Sequence, residues 1–224
     1  MSPRRSSGTT PRSPSAPDLP DTLDPLLSAP EQLRGVELRD RLLSGLDLSG
    51  RTAHDIRLVE CRLEDVDLSG SDVRGLSMRD VGVRDASWAG ANVEAARLER
   101  VEISGVRLTG ALLPSATLTD VAFVNCRIDL TSFRFSEFRN VHFDGCRLEE
   151  ADFYEATLTS VLLTDCDLTR ASLAGATLSR CELRGCRLEG LGNPERLRGA
   201  RMTMADAVAA ADVLATAVGI EIAD

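Results

Sequence analysis

The chain has 224 residues, a formal net charge of −9, 26 basic side chains that are all arginine, and only 4% aromatic residues, so a conventional ring-filled core is excluded. The charge also argues against direct nucleic-acid binding, which needs net positive charge to meet phosphate. No apolar run is long enough to span a bilayer, and the N-terminus lacks the apolar stretch of a secretory signal. The expectation is a cytoplasmic protein with no membrane partner.

Residues 1–30 are rich in Ser, Pro, Arg and Thr, with little apolar content before Leu19. Such a segment has little to bury against the entropy of ordering, and composition predicts a disordered tail. The alternative is a regulated basic arm, since Arg4, Arg5 and Arg12 lie among phosphorylatable Ser and Thr residues. Residues 31–45 are expected to form an N-terminal cap.

From 46 to 190 the chain repeats with a period of five. The large inward position runs from Leu48 through Leu63, Trp88, Phe123, Phe133, Phe138, Phe143 and Phe153 to Leu188, and no residue in it is polar. Two residues earlier stands a second, smaller set in which only Arg51 is charged. Every other charge in the segment falls in the remaining three positions. A helix needs apolar residues near every 3.6 positions and a simple strand every 2, and a strict five satisfies neither. The pattern describes a chain that turns a corner every five residues, with one large and one small side chain pointing inward on each side.

The segments SDVRG at Ser71, ANVEA at Ala91, ADFYE at Ala151, CDLTR at Cys166 and ASLAG at Ala171 carry a further likeness. They resemble the pentapeptide-repeat family, whose repeat is commonly written A(D/N)Lxx. The resemblance implies an all-β fold, a right-handed quadrilateral β-helix with twenty residues per coil. Seven coils would make a rod of roughly 34 Å at strand spacing.

Cys126, Cys146, Cys166 and Cys186 are twenty apart and occupy the small inward position, which predicts a buried thiol ladder on one face. Stacked parallel side chains do not wrap round a metal, so the reading is packing, with no metal and no cofactor. His54 and His142 fall in outward positions several coils apart, and no nucleophile, base and orienting group converge; an enzyme is not expected. Phe135 and Tyr154 fall outward and are candidates for a contact patch. Pro114 is expected to mark a kink or local loop.

Residues 191–224 leave the period of five at Gly192, Asn193 and Pro194, and Ala200 and Met202 repeat the small-x-large spacing out of register. Thr203 and Asp206 form a capping-box start for a helix over 204–218, with Gly219 as its stop. Its apolar stripe, including Met204, Val208, Leu214 and Val218, is a candidate dimer segment, the alternative being a cap on the chain's own solenoid.

Some members of the resembled family mimic duplex DNA and bind type II topoisomerases, inhibiting them or protecting them from quinolones. The resemblance therefore implies DNA gyrase as one candidate partner. Asp65, Asp85, Glu102, Asp144, Asp165 and Glu182 form the candidate acidic contact face, whereas Arg57, Arg79, Arg97, Arg100 and Arg139 offset the acids of the Leu58 face. The leading expectation is a non-catalytic scaffold with an unidentified protein partner; the alternative is the gyrase-binding DNA mimic.

Overall fold

The computed structural model describes residues 11–26, 28 and 34–222. It is a parallel β-solenoid of about nine turns. The first strands are β1 (Asp24–Leu26), β2 (Glu37–Arg39) and β3 (Arg41–Ser44). Five eight-residue strands follow: β4 (Arg57–Glu64), β5 (Ser77–Arg84), β6 (Arg97–Ser104), β7 (Thr117–Val124) and β8 (Glu137–Asp144). Shorter pairs continue the ladders, β9 (Thr157–Thr159) with β10 (Leu162–Thr164) and β11 (Thr177–Ser179) with β12 (Glu182–Arg184), and β13 (Arg201–Met202) ends them. Consecutive long strands pair in parallel with a register of twenty, as in Leu58↔Met78 and Leu63↔Val83. The other two sides of each coil are joined by single bridges such as Asp67↔Ser87 and Asp72↔Asn92.

The corners explain the period. Every fifth residue from Gly35 to Gly190 has a positive φ, near +55° for the non-glycine residues. The chain changes direction there, and the third residue after each corner points inward. The four sides take their names from an inward residue: the Leu58, Leu63, Leu68 and Val73 faces. Trp88, Phe123, Phe133, Phe138 and Phe143 are wholly buried, with Phe153 and Leu63 nearly so. The rings stack between coils, Phe123 on Phe143 at 4.8 Å and 5°, Phe133 on Phe153 at 5.2 Å and 20°. Phe138 meets Phe133 edge-on at 5.4 Å and 74°.

Several expectations require correction. The coil register begins at Gly35, not at 46, because β2 and β3 already pair with β4. With β13 added at the far end, the rod has about nine turns and not seven. Pro114 marks no kink. Its carbonyl accepts the Ala95 amide at 2.9 Å, and Leu112↔Ser132 continues the stack beside it. At equivalent positions the N–H turns to a side chain of its own repeat, as Tyr154 N–H does to Asp152 Oδ1 at 2.9 Å, so proline removes no coil-to-coil bond.

Composition also fails for the N-terminal segment. Residues 11–26 are ordered against the rod: β1 pairs with β3, and the Asp18 and Ser15 amides donate to Asp80 and Asp120 at 3.1 and 3.2 Å. Apolar content is low there, but it is spaced so that it can be turned to one side. Residues 1–10, 27 and 29–33 of the expected tail and cap lie outside the described residues.

At the C-terminus the expected single helix is two, α1 (Met204–Ala209) and α2 (Ala211–Ala217), because Ala210 departs from helical geometry at φ −102° and ψ 20°. The break lets Ala210 and Val213 bury themselves against the last coil. The capping box is formed, with Asp206 N–H donating to Thr203 Oγ1 at 3.1 Å and Thr203 N–H to Asp206 Oδ2 at 3.3 Å. Asp206 Oδ1 also accepts the Gly185 amide at 2.9 Å, tying α1 to the next-to-last corner. No helix among the described residues is long and apolar enough to cross a membrane.

Candidate interaction surface

The interior holds the cysteines. Cys126, Cys146 and Cys166 are buried and Cys186 is half-buried, all as free thiols. Each Sγ donates to an inward residue of the coil before, Cys126 to Ile103 O and Cys146 to Phe123 O, both at 3.4 Å. Thr131 and Ser136 make the same bond to Leu108 O and Leu113 O at 2.7 and 2.8 Å. From Val81 to Cys186 the small inward position therefore takes a compact donor wherever it is not Ala or Val. Hydrogen bonding to the thiol one coil earlier pushes Cys146 and Cys166 up to about 12, so both are protonated at neutral pH. They are packing groups and not nucleophiles.

The acidic residues named from sequence do not form one continuous surface. Asp65, Asp85 and Asp165 are exposed at the corner that follows the Leu63 face, but Gly105, Asn125 and Gly145 occupy that corner in the coils between. Asp144 is half-buried. Glu102 lies 3.9 Å from Arg84, and Glu182 is buried and paired with Arg184 at 2.7 Å. On the Leu58 face Arg57 pairs with Glu37 at 2.9 Å, Arg79 with Glu99 at 3.0 Å and Arg139 with Glu137 at 2.8 Å. Arg100 grips Asp80 with two bonds of 2.7 and 2.6 Å, and that pairing holds the Asp80 carboxyl below its ordinary range. His54 bonds to Asp72 at 3.1 Å and His142 to Thr164 at 3.1 Å, so the structure does not bring the histidines together.

The Val73 face carries a different group. Leu130 and Phe135 occupy consecutive corners at φ 57° and 61°, and both remain half exposed, at 56% and 50%. A large side chain in the left-handed region costs on the order of 1–2 kcal/mol, and the other corners of the described coils carry Gly, polar or charged residues, or Ala95. Phe135 stands edge-on to Tyr154 at 5.5 Å and 87°. The Arg134 guanidinium lies 4.6 Å from the centre of the Tyr154 ring and 3.7 Å from Asp152. A hydrogen bond to Glu155 raises the Tyr154 hydroxyl above its usual value. Leu112, 45% exposed, extends the patch by one coil. Phe135 and Tyr154 were legible from their outward positions; Leu112, Leu130 and Arg134 were missed. The missed signal was a leucine in the fifth position of the repeat.

The far end holds a second apolar group. Met204, Val208 and Val218 are exposed, with Ile220 and Ile222, whereas Leu214 packs against the chain's own core.

Comparison with known proteins agrees with the register. The pentapeptide repeat region model matches residues 116–192. No curated protein matches the sequence. Among solved structures the chain is similar to HetL, a pentapeptide repeat protein involved in heterocyst differentiation regulation from Nostoc, at 22% identity over 77% of this chain and 92% of that one, with a TM-score of 0.39. It is also similar to full-length QnrB1, a plasmid-mediated fluoroquinolone resistance protein, at 15% identity over 80% of this chain and 100% of that one, TM-score 0.39. A pentapeptide repeat protein from the Arabidopsis thaliana thylakoid lumen is 24% identical over 58% of this chain and 75% of that one, TM-score 0.39. Overall superposition is loose in all three; residues 116–192 are a pentapeptide repeat region, and the five-residue corner register runs unbroken from Gly35 to Gly190.

Proposed function

We propose that this chain is a non-catalytic scaffold that binds a protein partner through the Val73 face around Phe135. The observation that carries the reading is the display of Leu130 and Phe135 from strained corners, where glycine or asparagine would serve the fold better and water would meet less apolar surface. An aromatic pair bracketed by an arginine is the composition of an interface centre. A photo-crosslinking residue at position 135 should capture one defined protein in the source cell, and the same probe at Arg127 on the Leu68 face should not. Equal capture at both positions contradicts the assignment.

The second reading is a DNA mimic that binds DNA gyrase, supported by the net charge of −9 and the exposed Asp65, Asp85 and Asp165. The three-coil interruption of that corner and the pairing of Glu102 and Glu182 make it the weaker one. Titration into a gyrase supercoiling reaction, with and without a fluoroquinolone, tests it; no effect at micromolar excess removes it. Exposed Met204, Val208 and Val218 support self-association at the C-terminal end. Val208→Glu should then convert a dimer to a monomer in a solution mass measurement, and a wild-type monomer removes the idea.

A further inference from the structure

Residues 11–20 read PRSPSAPDLP, with proline at 11, 14, 17 and 20. Burial follows the same period of three. Pro11 is buried and Pro14, Pro17 and Pro20 are half-buried, while Arg12, Ser13, Ser15, Ala16 and Asp18 are exposed. A chain that turns one residue in three to its support has the symmetry of polyproline II, which rises about 3.1 Å per residue. The Ser15 amide donates to Asp120 and the Asp18 amide to Asp80. These anchors are three residues apart on the strap and two coils apart on the rod. One polyproline II turn covers about 9.3 Å and two coils roughly 9.6 Å, so the strap and the solenoid are commensurate.

The rod is shaped for this occupant. Leu19 Cδ1 lies over Gly82, 3.7 Å from where a Cβ would stand. The Asp80 carboxylate is fixed by Arg100, and Asp120 accepts a bond from Asn140 Nδ2. Both acceptors are held in place before the strap amides reach them. We propose that the ridge between the Leu58 and Leu63 faces is a binding rail for proline-rich segments with proline at every third residue, occupied in cis by residues 11–20 as a built-in competitor. The hold in cis is weakened where Asp18 meets a corner column of Asp40, Glu60, Asp80 and Asp120, whose one cation over that stretch, Arg100, is already engaged by Asp80 and Glu99. The partner that displaces it is a proline-rich segment with a basic residue where this chain has Asp18. This rail lies on a different edge of the rod from Phe135, so the two assignments stand or fall separately.

The test uses the full chain carrying Pro14→Gly and Pro17→Gly, with fluorescent decapeptides as probes. Hydrogen exchange of the Ser15 and Asp18 amides should accelerate at least tenfold in that variant while the coil amides keep their rates. A peptide of residues 11–20 should bind the variant at least tenfold more tightly than the wild-type chain, and its Asp18→Arg form more tightly again. A peptide of the same composition with its prolines out of the three-residue period should not bind, and adding Gly82→Arg to the chain should abolish capture. Unchanged exchange overturns the role of the prolines. Equal binding of the two proline arrangements, or capture that survives Gly82→Arg, overturns the rail. Dimerisation of the variant without peptide capture overturns the proline-rich partner in favour of strap exchange between copies.

Discussion

A Cβ added to Gly105 would lie 2.7 Å from the Asp85 carboxylate oxygen one coil earlier, closer than such atoms approach. Asp85 and Gly105 occupy the same corner column, and the aspartate carboxylate leans into the space beside the next corner, from which it must turn when that corner carries a side chain, as Asp65 does below Asp85. Gly90, also at a left-handed corner, has open space where a Cβ would stand, with no heavy atom within 4 Å. Gly105→Ala should therefore cost the backbone term of about 1–2 kcal/mol plus the smaller cost of turning the exposed Asp85 carboxylate aside, whereas Gly90→Ala should cost the backbone term alone. Urea denaturation of the two variants measures the difference; equal losses would remove the steric account.

Phe138 touches three rings, Phe133, Phe143 and Phe153, and has no exposed surface. Phe138→Asp removes that packing and buries a charge, a loss on the order of 4 kcal/mol or more. Thermal melting should fall steeply and the near-ultraviolet signal of the ring cluster should vanish. Unchanged melting would place Phe138 outside the core.

The five-residue period made the inward set legible, because no residue at the large position from Leu48 to Leu188 is polar and Arg51 is the one charge at the small position. What the sequence concealed has physical causes. The period of three in residues 11–20 is visible as spaced prolines, but composition weighs apolar content and ignores its spacing. The break at Ala210 is set by contact with the last coil, which no local pattern records. Leu130 was hidden because an outward leucine is ordinary until the backbone beneath it is known to be left-handed.

Asp80 supplies a pH dependence. Its carboxyl is held below the ordinary value, first by the Arg100 hydrogen bonds and also by the Asp18 amide, against burial that acts in the opposite direction. A depressed folded value contributes stability that is present above the unfolded carboxylate value and lost as pH falls through the folded one. Stability should decline as the solution is acidified below about pH 4, and Asp80→Asn should flatten that part of the profile. Exchange of the Asp18 amide should rise over the same window. An identical acid limb in the variant would remove Asp80 as its source.

In the proposed interface on the Val73 face, Leu130 is kept for display and not for the fold. The most direct measurement is the urea midpoint of Leu130→Asn, since asparagine tolerates a left-handed corner that leucine strains. A higher midpoint at unchanged slope is expected, a gain of about 1 kcal/mol. A lower midpoint would show that Leu130 stabilises the solenoid, and would contradict the assignment of the Val73 face as a binding surface.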